Sequence, residues 1–392
     1  MMEREPLEEW LLRISNNLPL DKREQALLRK DLDQLEDWLG GPPEGRRREM
    51  PYVRSRWSSS ARIVPADLPR VQELYRRVVA TTGAGKTYAE EALLSLIARV
   101  LDPSTIPFFV EMLDLAPPRD KLAARRRQLS LAALALLAYQ RDEASAIDAL
   151  IDATRHAHPQ VRALAVYYLR VVYIGVEEFQ FAADEKQPAD AEGDEESVTP
   201  RRPVPPQLAE RMAEIATHDP AFEPRFMARM FLREARQALP PDNPGGTYAC
   251  KVKLKWDKRT YRTIELRSEQ TLEDLHLAIQ HAFRWDNDHL YSFFMNGQRG
   301  DERYRFAAPW EEDSYLWTDD GVIGELGLTL KHKFLYLFDY GDNHEFEIEV
   351  VNIRPQAEPG EYPRVVERQG KAPAQYRYAE DEDEDADADD IV

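Results

Sequence analysis

Carboxylate and imidazole side chains in the last third of the chain are the residues best suited to chemistry. They are Asp286, Asp288, His289, Asp339 and Asp342. Ligands of this kind bind divalent metal ions when they converge. The first three follow a predicted helix and the last two lie in a predicted hairpin turn. A structural alternative is that the aspartates hydrogen-bond backbone N–H groups in turns, with the nearby His344 as a core histidine.

A second candidate is a glycine-containing segment, residues 80–87, which reads Ala-Thr-Thr-Gly-Ala-Gly-Lys-Thr and matches a relaxed phosphate-binding loop. Such a loop holds phosphate between a preceding strand and a following helix. Here residues 71–79 have a helical pattern, and Ala80 replaces the usual first glycine. A turn between helices is therefore the favoured interpretation, and a nucleotide site at Lys86 and Thr87 is the weaker alternative.

Two runs of arginine stand out in an acidic chain. They are Arg46, Arg47 and Arg48, and Arg125, Arg126 and Arg127. Clusters of this kind bind the phosphates of nucleic acid, or bind an acidic partner. Two structural alternatives stay open, namely solvated helix faces and contacts with this chain's own acidic segments.

The 392-residue chain has a formal net charge of −19 and one cysteine, Cys250. A net negative chain is a poor general binder of phosphate backbones. One cysteine excludes an internal disulfide. We expect a cytoplasmic protein that does not bind membranes, because a signal-peptide core and an apolar run of ~18 residues are both missing. The sequence shows no Ser/His/Asp or Cys/His nucleophile arrangement, and we expect no cofactor unless a divalent metal binds.

Helical periodicity dominates residues 67–239. Predicted helix pairs start about 41 residues apart, near residues 106 and 147, and a third pair follows an acidic insert at 183–206 that is predicted to be disordered. This period and the turn at His158 and Pro159 resemble HEAT-type repeats. In such repeats a proline opens the second helix and an arginine braces the turn, which fits Pro159 and Arg162. The resemblance implies stacked pairs with an extended surface; an irregular helical bundle is the alternative.

The segment 245–378 has the pattern of a small α+β domain with β-hairpins and one main helix. Alternation predicts a first hairpin at 247–266, a helix capped by Thr271, and a second hairpin at 333–351. Four sequence landmarks then occur in order, at residues 271–280, 285–290, 338–342 and 362–364. Together they resemble the Ri-plasmid Orf-three-like domain family.

The resemblance implies the architecture of the last third and an association with plasmids and some transposable elements, but no settled activity. The family's hairpin turn is usually followed by tryptophan and, two residues later, by histidine. Here those positions hold His344 and Phe346. The family's tryptophan in the second strand is Tyr261, and its frequent C-terminal cysteine is missing around Pro373. Any site that depends on those residues is in doubt.

The proline- and glycine-rich residues 240–246 mark the clearest domain boundary. We expect helices and a basic arm at 1–66, the HEAT-like all-α region at 67–239, the α+β domain at 245–378 and a disordered acidic tail at 379–392. The expected function is non-catalytic binding or scaffolding with an unidentified protein partner, linked to plasmids or mobile elements. The alternative is a metal-assisted enzyme that acts on nucleic acid through the Asp/His cluster.

Overall fold

The chain divides into two compact units. The computed structural model describes residues 18–19, 22–41, 50–51, 61–63, 65–81, 85–116, 120–175, 201–239, 241–257, 259–311, 314 and 316–376. The first unit consists of residues up to Ile215 with Met230–Gln237, and the second of Ala216–Arg229 with the residues from Ala238 onwards. An N-terminal helical region is followed by a sheet domain, which confirms the predicted multidomain combination of all-α and α+β parts.

Nine α-helices precede the sheet in the described residues. They are α1 (Lys22–Gly40), α2 (Leu68–Ala80), α3 (Lys86–Ala98), α4 (Ile106–Asp114), α5 (Ala123–Arg141), α6 (Ala144–Ala153), α7 (Pro159–Tyr173), α8 (Pro206–His218) and α9 (Phe222–Glu234). Two short strands, β1 (Leu18–Pro19) and β2 (Ala61–Arg62), pair in parallel. None of these helices has the length and apolar character needed to cross a membrane.

Helices α5 and α7 form the interior of the helical unit. Every residue from Leu129 to Tyr139 of α5 is buried, as are most residues of α7. Their sequences are rich in alanine, leucine and valine on all sides, and a helix that is apolar all round belongs in a core. Helix α4 packs on α5 and α6, while α7 packs on α5 and α6.

A buried ion network joins three segments of the helical unit. The guanidinium of Arg126, at the start of α5, is fully buried and lies 2.9 Å from Glu90 and 2.8 Å from Asp120. It also donates to the hydroxyl of Tyr75 at 3.1 Å. Burial raises the pKa of Glu90 despite the nearby Arg126 charge. The arginine therefore compensates carboxylates that would otherwise be costly to bury.

In the part of the chain that the structure describes, the sheet domain contains seven antiparallel strands. They are β3 (Thr247–Leu254), β4 (Tyr261–Arg267), β5 (Tyr291–Phe294), β6 (Arg305–Ala307), β7 (Lys333–Phe338), β8 (His344–Arg354) and β9 (Arg364–Gln369), in the order β6-β5-β7-β8-β3-β4-β9. The hairpins β3–β4 and β7–β8 form as the alternation predicts. Strand β7 is apolar on both faces, and it lies inside the sheet between β5 and β8.

One α-helix, α10 (Leu272–Phe283), accompanies the sheet. Thr271 caps it reciprocally with Asp274, because each side chain accepts a hydrogen bond from the other residue's backbone N–H. Leu275, His276 and Ile279 are buried along one stripe of the helix. The cap fixes where the helix begins, and its end leads directly into the segment that carries Asp286, Asp288 and His289.

The edge strand β9 has no counterpart among the predicted elements. Most of its side chains are exposed, and Arg364 pairs with Glu265 of the neighbouring β4 at 2.8 Å. Charged side chains are common on edge strands, where they hinder pairing with other chains. Such a strand lacks the apolar alternation by which strands are recognised in a sequence.

Removing the buried arginine should destabilise the helical unit. Arg126→Met removes the buried guanidinium that contacts both Glu90 and Asp120 and leaves Lys86 beside Glu90 as the remaining cation, so we expect the free energy of unfolding to fall by about 3 kcal/mol. Urea unfolding followed by circular dichroism measures this loss. Arg155→Ala, in an exposed pair with Asp152, is the control and should change stability by less than about 0.5 kcal/mol. Equal stability of the two variants would contradict the assigned role of Arg126.

The single cysteine should be unreactive in the folded protein. Cys250 is fully buried on β3, and burial raises the pKa of its thiol to about 12. Because the thiolate is the reactive form, Ellman's reagent should label Cys250 only after denaturant is added. Rapid stoichiometric labelling in buffer alone would contradict its burial.

Candidate functional site

The turn between β7 and β8 positions the central residue of the Asp/His cluster. Asp339 adopts a left-handed backbone conformation, with φ of 55°. Its Oδ1 accepts hydrogen bonds from the backbone N–H groups of Gly341 at 2.9 Å and Asp342 at 3.1 Å. Its own N–H donates to the carbonyl of Leu290 at 3.0 Å. One carboxylate oxygen of Asp339 thus closes the turn, and the other remains available to the site.

Three side chains converge at this turn. The ligand-type atoms of Asp339, Asp342 and His344 all lie within 4.8 Å of one another. Nε2 of His344 is buried and has no hydrogen-bond partner in the described part of the chain, whereas the ring's other nitrogen faces the backbone of Gln375. A histidine oriented through one nitrogen while the other is unoccupied has the arrangement of a metal ligand. Burial also lowers the pKa of His344, which favours the neutral, ligating form.

His289 extends the cluster, and Asp288 stands at its rim. Nε2 of His289 lies 3.3 Å from Oδ2 of Asp339 and 3.9 Å from Asp288. The carboxylate of Asp288 accepts hydrogen bonds from Tyr376 at 3.2 Å and Gln375 at 3.1 Å. His289 is therefore a fourth ligand-type group beside the turn, whereas Asp288 is directed towards the C-terminal segment.

Asp286 joins the site through its backbone. Its N–H donates to the side chain of Gln375 at 2.6 Å, and its carbonyl accepts from the same side chain at 3.1 Å. The carboxylate of Asp286 is not among the groups that converge on the turn. Of the predicted residues, the structure therefore brings together His289, Asp339 and Asp342. His344, for which a core position was the favoured interpretation, lies with them.

The C-terminal segment supplies partners that carried no sequence motif. Trp285 donates from Nε1 to the carbonyl of Pro373 at 3.0 Å, which anchors this segment beside the cluster. Gln375 and Tyr376 then reach Asp288, as described above. The only signal for them in the sequence was that the family resemblance extends to about residue 378.

A buried aromatic network lies next to the cluster. His276 stacks on Tyr291 with ring centroids 3.5 Å apart, and its nitrogens hydrogen-bond Tyr336 and Asn287, each at 2.7 Å. Burial lowers the pKa of His276 to about 4, so the imidazole is neutral at pH 7. With both nitrogens engaged, His276 orients Asn287 and the following loop and is not itself open to a ligand.

An open cleft of 690 Å³ adjoins the Asp/His cluster. Its lining residues are Asn287, Asp288, His289, Leu290, Trp310 and Glu311. Glu311 accepts a hydrogen bond from Tyr340 at 3.0 Å and forms an ion pair with Arg305. The rings of Trp310 and Tyr291 make a T-shaped contact, and Trp310 is 55% exposed. The cleft thus combines an exposed aromatic ring with carboxylates and an imidazole.

Lys86 is held within the helical unit. The element before its segment is helix α2, so the strand that a phosphate-binding loop requires is replaced by a helix. Nζ of Lys86 donates to the carbonyl of Val79 at 2.7 Å and lies 3.4 Å from Glu90. Thr87 lies in the first turn of α3. These contacts favour the interpretation of this segment as a turn between helices.

The structure describes one of the two arginine runs, residues 125–127, and not the other. Arg46, Arg47 and Arg48 lie outside the described residues, as do the acidic tail and residues 183–200 of the insert. In the second run, Arg126 belongs to the buried ion network. Its neighbour Arg125 lies 3.3 Å from Glu91, and Arg127 donates to the carbonyl of Leu113 at 3.0 Å. Arg126 therefore stabilises the fold and is shielded from any phosphate. Nucleic-acid binding by the other arginines stays a prediction.

Comparisons with known proteins support the resemblance of the C-terminal part. Residues 246–376, about a third of the chain, match the family described as plasmid pRiA4b ORF-3-like protein. Among solved structures, a protein of unknown function from Methanosarcina mazei Go1 is 27% identical over 32% of this chain and 71% of its own, with a TM-score of 0.28. None of the curated proteins matches the sequence.

The departures from the family pattern are visible in the structure. Phe346, where the family usually has histidine, lies in the core with its ring 5.2 Å from Phe283 and 5.4 Å from Trp285. His344 replaces the family's tryptophan and brings an imidazole to the turn. The candidate site of this chain is therefore a variation within residues 246–376, the part that is similar to the plasmid pRiA4b ORF-3-like family.

Proposed function

We propose that the chain is a non-catalytic binding protein whose helical region is a HEAT-type stack, with a partner bound on its exposed helices. The proposal keeps the helical region at 67–239 and the α+β domain at 245–378 as separate functional parts. A recurring arginine contact in three successive helix pairs carries the proposal. The family description of residues 246–376 supports a link to plasmids or mobile elements.

The recurring contact occurs at the same place in each pair. In each pair, the arginine is three residues beyond the first residue of the second helix. It is Arg126 in α5, Arg162 in α7 and Arg225 in α9. Each guanidinium donates to backbone carbonyls in the connection that precedes its own helix. The acceptors are Leu115 for the first, His156 and Ala157 for the second, and Asp219 and Ala221 for the third. An irregular bundle has no reason to repeat one brace at equivalent positions.

Packing between alternate helices also supports a stack. In one layer α4 packs on α6, and Arg211 of α8 donates to the Thr154 carbonyl at the end of α6 at 2.8 Å. In the other layer α5 packs on α7, and Arg170 of α7 donates to Glu234 of α9 at 2.6 Å. Packing in the first two pairs, and these hydrogen bonds to the third, link each helix to its counterpart in the next pair, as in helical repeats.

The layer of α4, α6 and α8 offers the surface for a partner. Helices α5 and α7 are buried, whereas α6 and α8 carry outward carboxylates such as Asp152, 83% exposed, and Glu214, 63% exposed. Arg155, just beyond the end of α6, and Arg211, on α8, form i,i+3 pairs with these two carboxylates. Ion pairs of such exposed carboxylates are weak and can exchange for contacts with a partner.

Charge reversal on this layer should release the partner. We expect Asp152→Lys combined with Glu214→Lys to remove specific partners from the protein purified from its native host, as measured by quantitative mass spectrometry. The matched control reverses Asp37 and Glu73, two carboxylates on α1 and α2 of the same unit. Loss of the same partners from both double variants, or from neither, would contradict binding on the α4–α6–α8 layer.

A divalent metal centre is the second candidate function, because Asp339, Asp342 and His344 converge with His289 beside them. Two imidazoles and two carboxylates suit zinc or another transition metal better than magnesium. Such a centre would support the metal-assisted alternative, hydrolysis of a nucleic acid. In that case the metal would polarise a phosphate and activate water.

Metal binding at the turn is directly measurable. We expect one Co²⁺ per chain, with visible d–d absorption, and a loss of at least about tenfold in affinity for His344→Gln and Asp342→Asn. Because burial lowers the pKa of His344, proton competition at this ligand should set in at a lower pH than for an ordinary imidazole. Asp301→Asn, at another turn of the sheet domain, is the control. Unchanged Co²⁺ spectra in both cluster variants would exclude this centre.

A further inference from the structure

Trp310 is the most unusual apolar residue around the cleft. Its indole is 55% exposed and makes a T-shaped contact with the ring of buried Tyr291, with centroids 5.8 Å apart. The indole lines the cleft, and this contact leaves more than half of the residue open to solvent. An exposed indole in a concave site is more typical of a ligand-contacting residue than of a core residue.

Two carboxylates, those of Asp288 and Glu311, line the cleft together with this indole. Asp288 lines the cleft with 48% of its side chain exposed, and its hydrogen-bond donors, Gln375 and Tyr376, are uncharged. Burial raises the pKa of Tyr291, and the negative charges of Glu273 and Asp319 raise it further. The other carboxylate that lines the cleft, Glu311, forms an ion pair with Arg305. The cleft therefore has a net negative environment.

The charges that line the cleft favour one kind of ligand. A ligand that brings a positive charge is attracted to the carboxylates of Asp288 and Glu311, whereas a phosphate is repelled by them.

We propose that this cleft binds an arginine or lysine side chain from a basic segment of a partner protein, with the cation over the face of Trp310 and beside the carboxylate of Asp288. Cation–π contacts and a partly exposed carboxylate act together on a guanidinium or ammonium group. A nucleotide base could also stack on Trp310, but its phosphates would face Asp288 and Glu311. The inference concerns the sheet domain and does not depend on a partner for the helical layer.

The chain offers a matched control for the indole. Trp256, directly after β3, is 56% exposed and is not among the residues that line the cleft. Replacing either tryptophan by alanine removes the same exposed area. A difference in ligand affinity between the two variants therefore depends on the position of the ring and not on a general loss of exposed apolar surface.

Calorimetric titration with a blocked hexapeptide of alternating arginine and glycine tests the proposal. The full-length protein is used with EDTA present, so that a bound metal cannot contribute. We expect saturable binding that Trp310→Ala weakens about tenfold and Asp288→Asn about threefold, whereas Trp256→Ala leaves it unchanged. Circular dichroism confirms that each variant is folded.

Three results would overturn the proposal. The first is that no saturable binding occurs with the wild-type protein. The second is that Trp256→Ala weakens binding as much as Trp310→Ala, which indicates non-specific attraction to an acidic chain. The third is that AMP binds in a manner that requires Trp310 while the arginine peptide does not, which would assign the indole to base stacking.

Discussion

The carboxylate of Asp339 is the constraint on which the candidate site depends. One oxygen accepts two backbone N–H groups of the β7–β8 turn and offsets the strain of a left-handed residue. The residue's own N–H holds Leu290, so the hairpin and the segment after α10 meet at this point. The other oxygen faces His289. The structural and metal-binding interpretations of Asp339 therefore use different atoms of one side chain and are compatible.

Three arginine side chains stabilise turns of the chain in a comparable way. Arg126, Arg162 and Arg225 satisfy backbone carbonyls where the chain turns from one helix into the next. Once those turns are fixed, α5 and α7 fill the interior, and the polar faces of α4, α6 and α8 remain outside. This division separates the residues that maintain the fold from those available to a partner. Both proposed binding regions, the helical layer and the cleft, expose carboxylates.

Local patterns predicted most of the architecture. Strand alternation, the cap at Thr271 and the turn at Gly341 identified both hairpins and the helix between them, because each signal acts within a few residues. Edge strand β9 was missed because charged side chains replace its apolar alternation. The burial of Arg126 was also missed, since three consecutive arginines suggest a basic surface until the helix turns one of them inwards. Gln375 could not be connected to Asp286, because that contact spans 89 positions of the chain.

Photo-crosslinking in the native host tests the central claim, a partner bound to the outer helical layer. Benzoylphenylalanine would be placed at Asp152 on α6 and, in a separate variant, at Trp256 in the sheet domain; both positions are exposed. The account predicts a discrete protein adduct from position 152 and none of the same mass from position 256. The same adduct from both positions, or an adduct from position 256 alone, would contradict it.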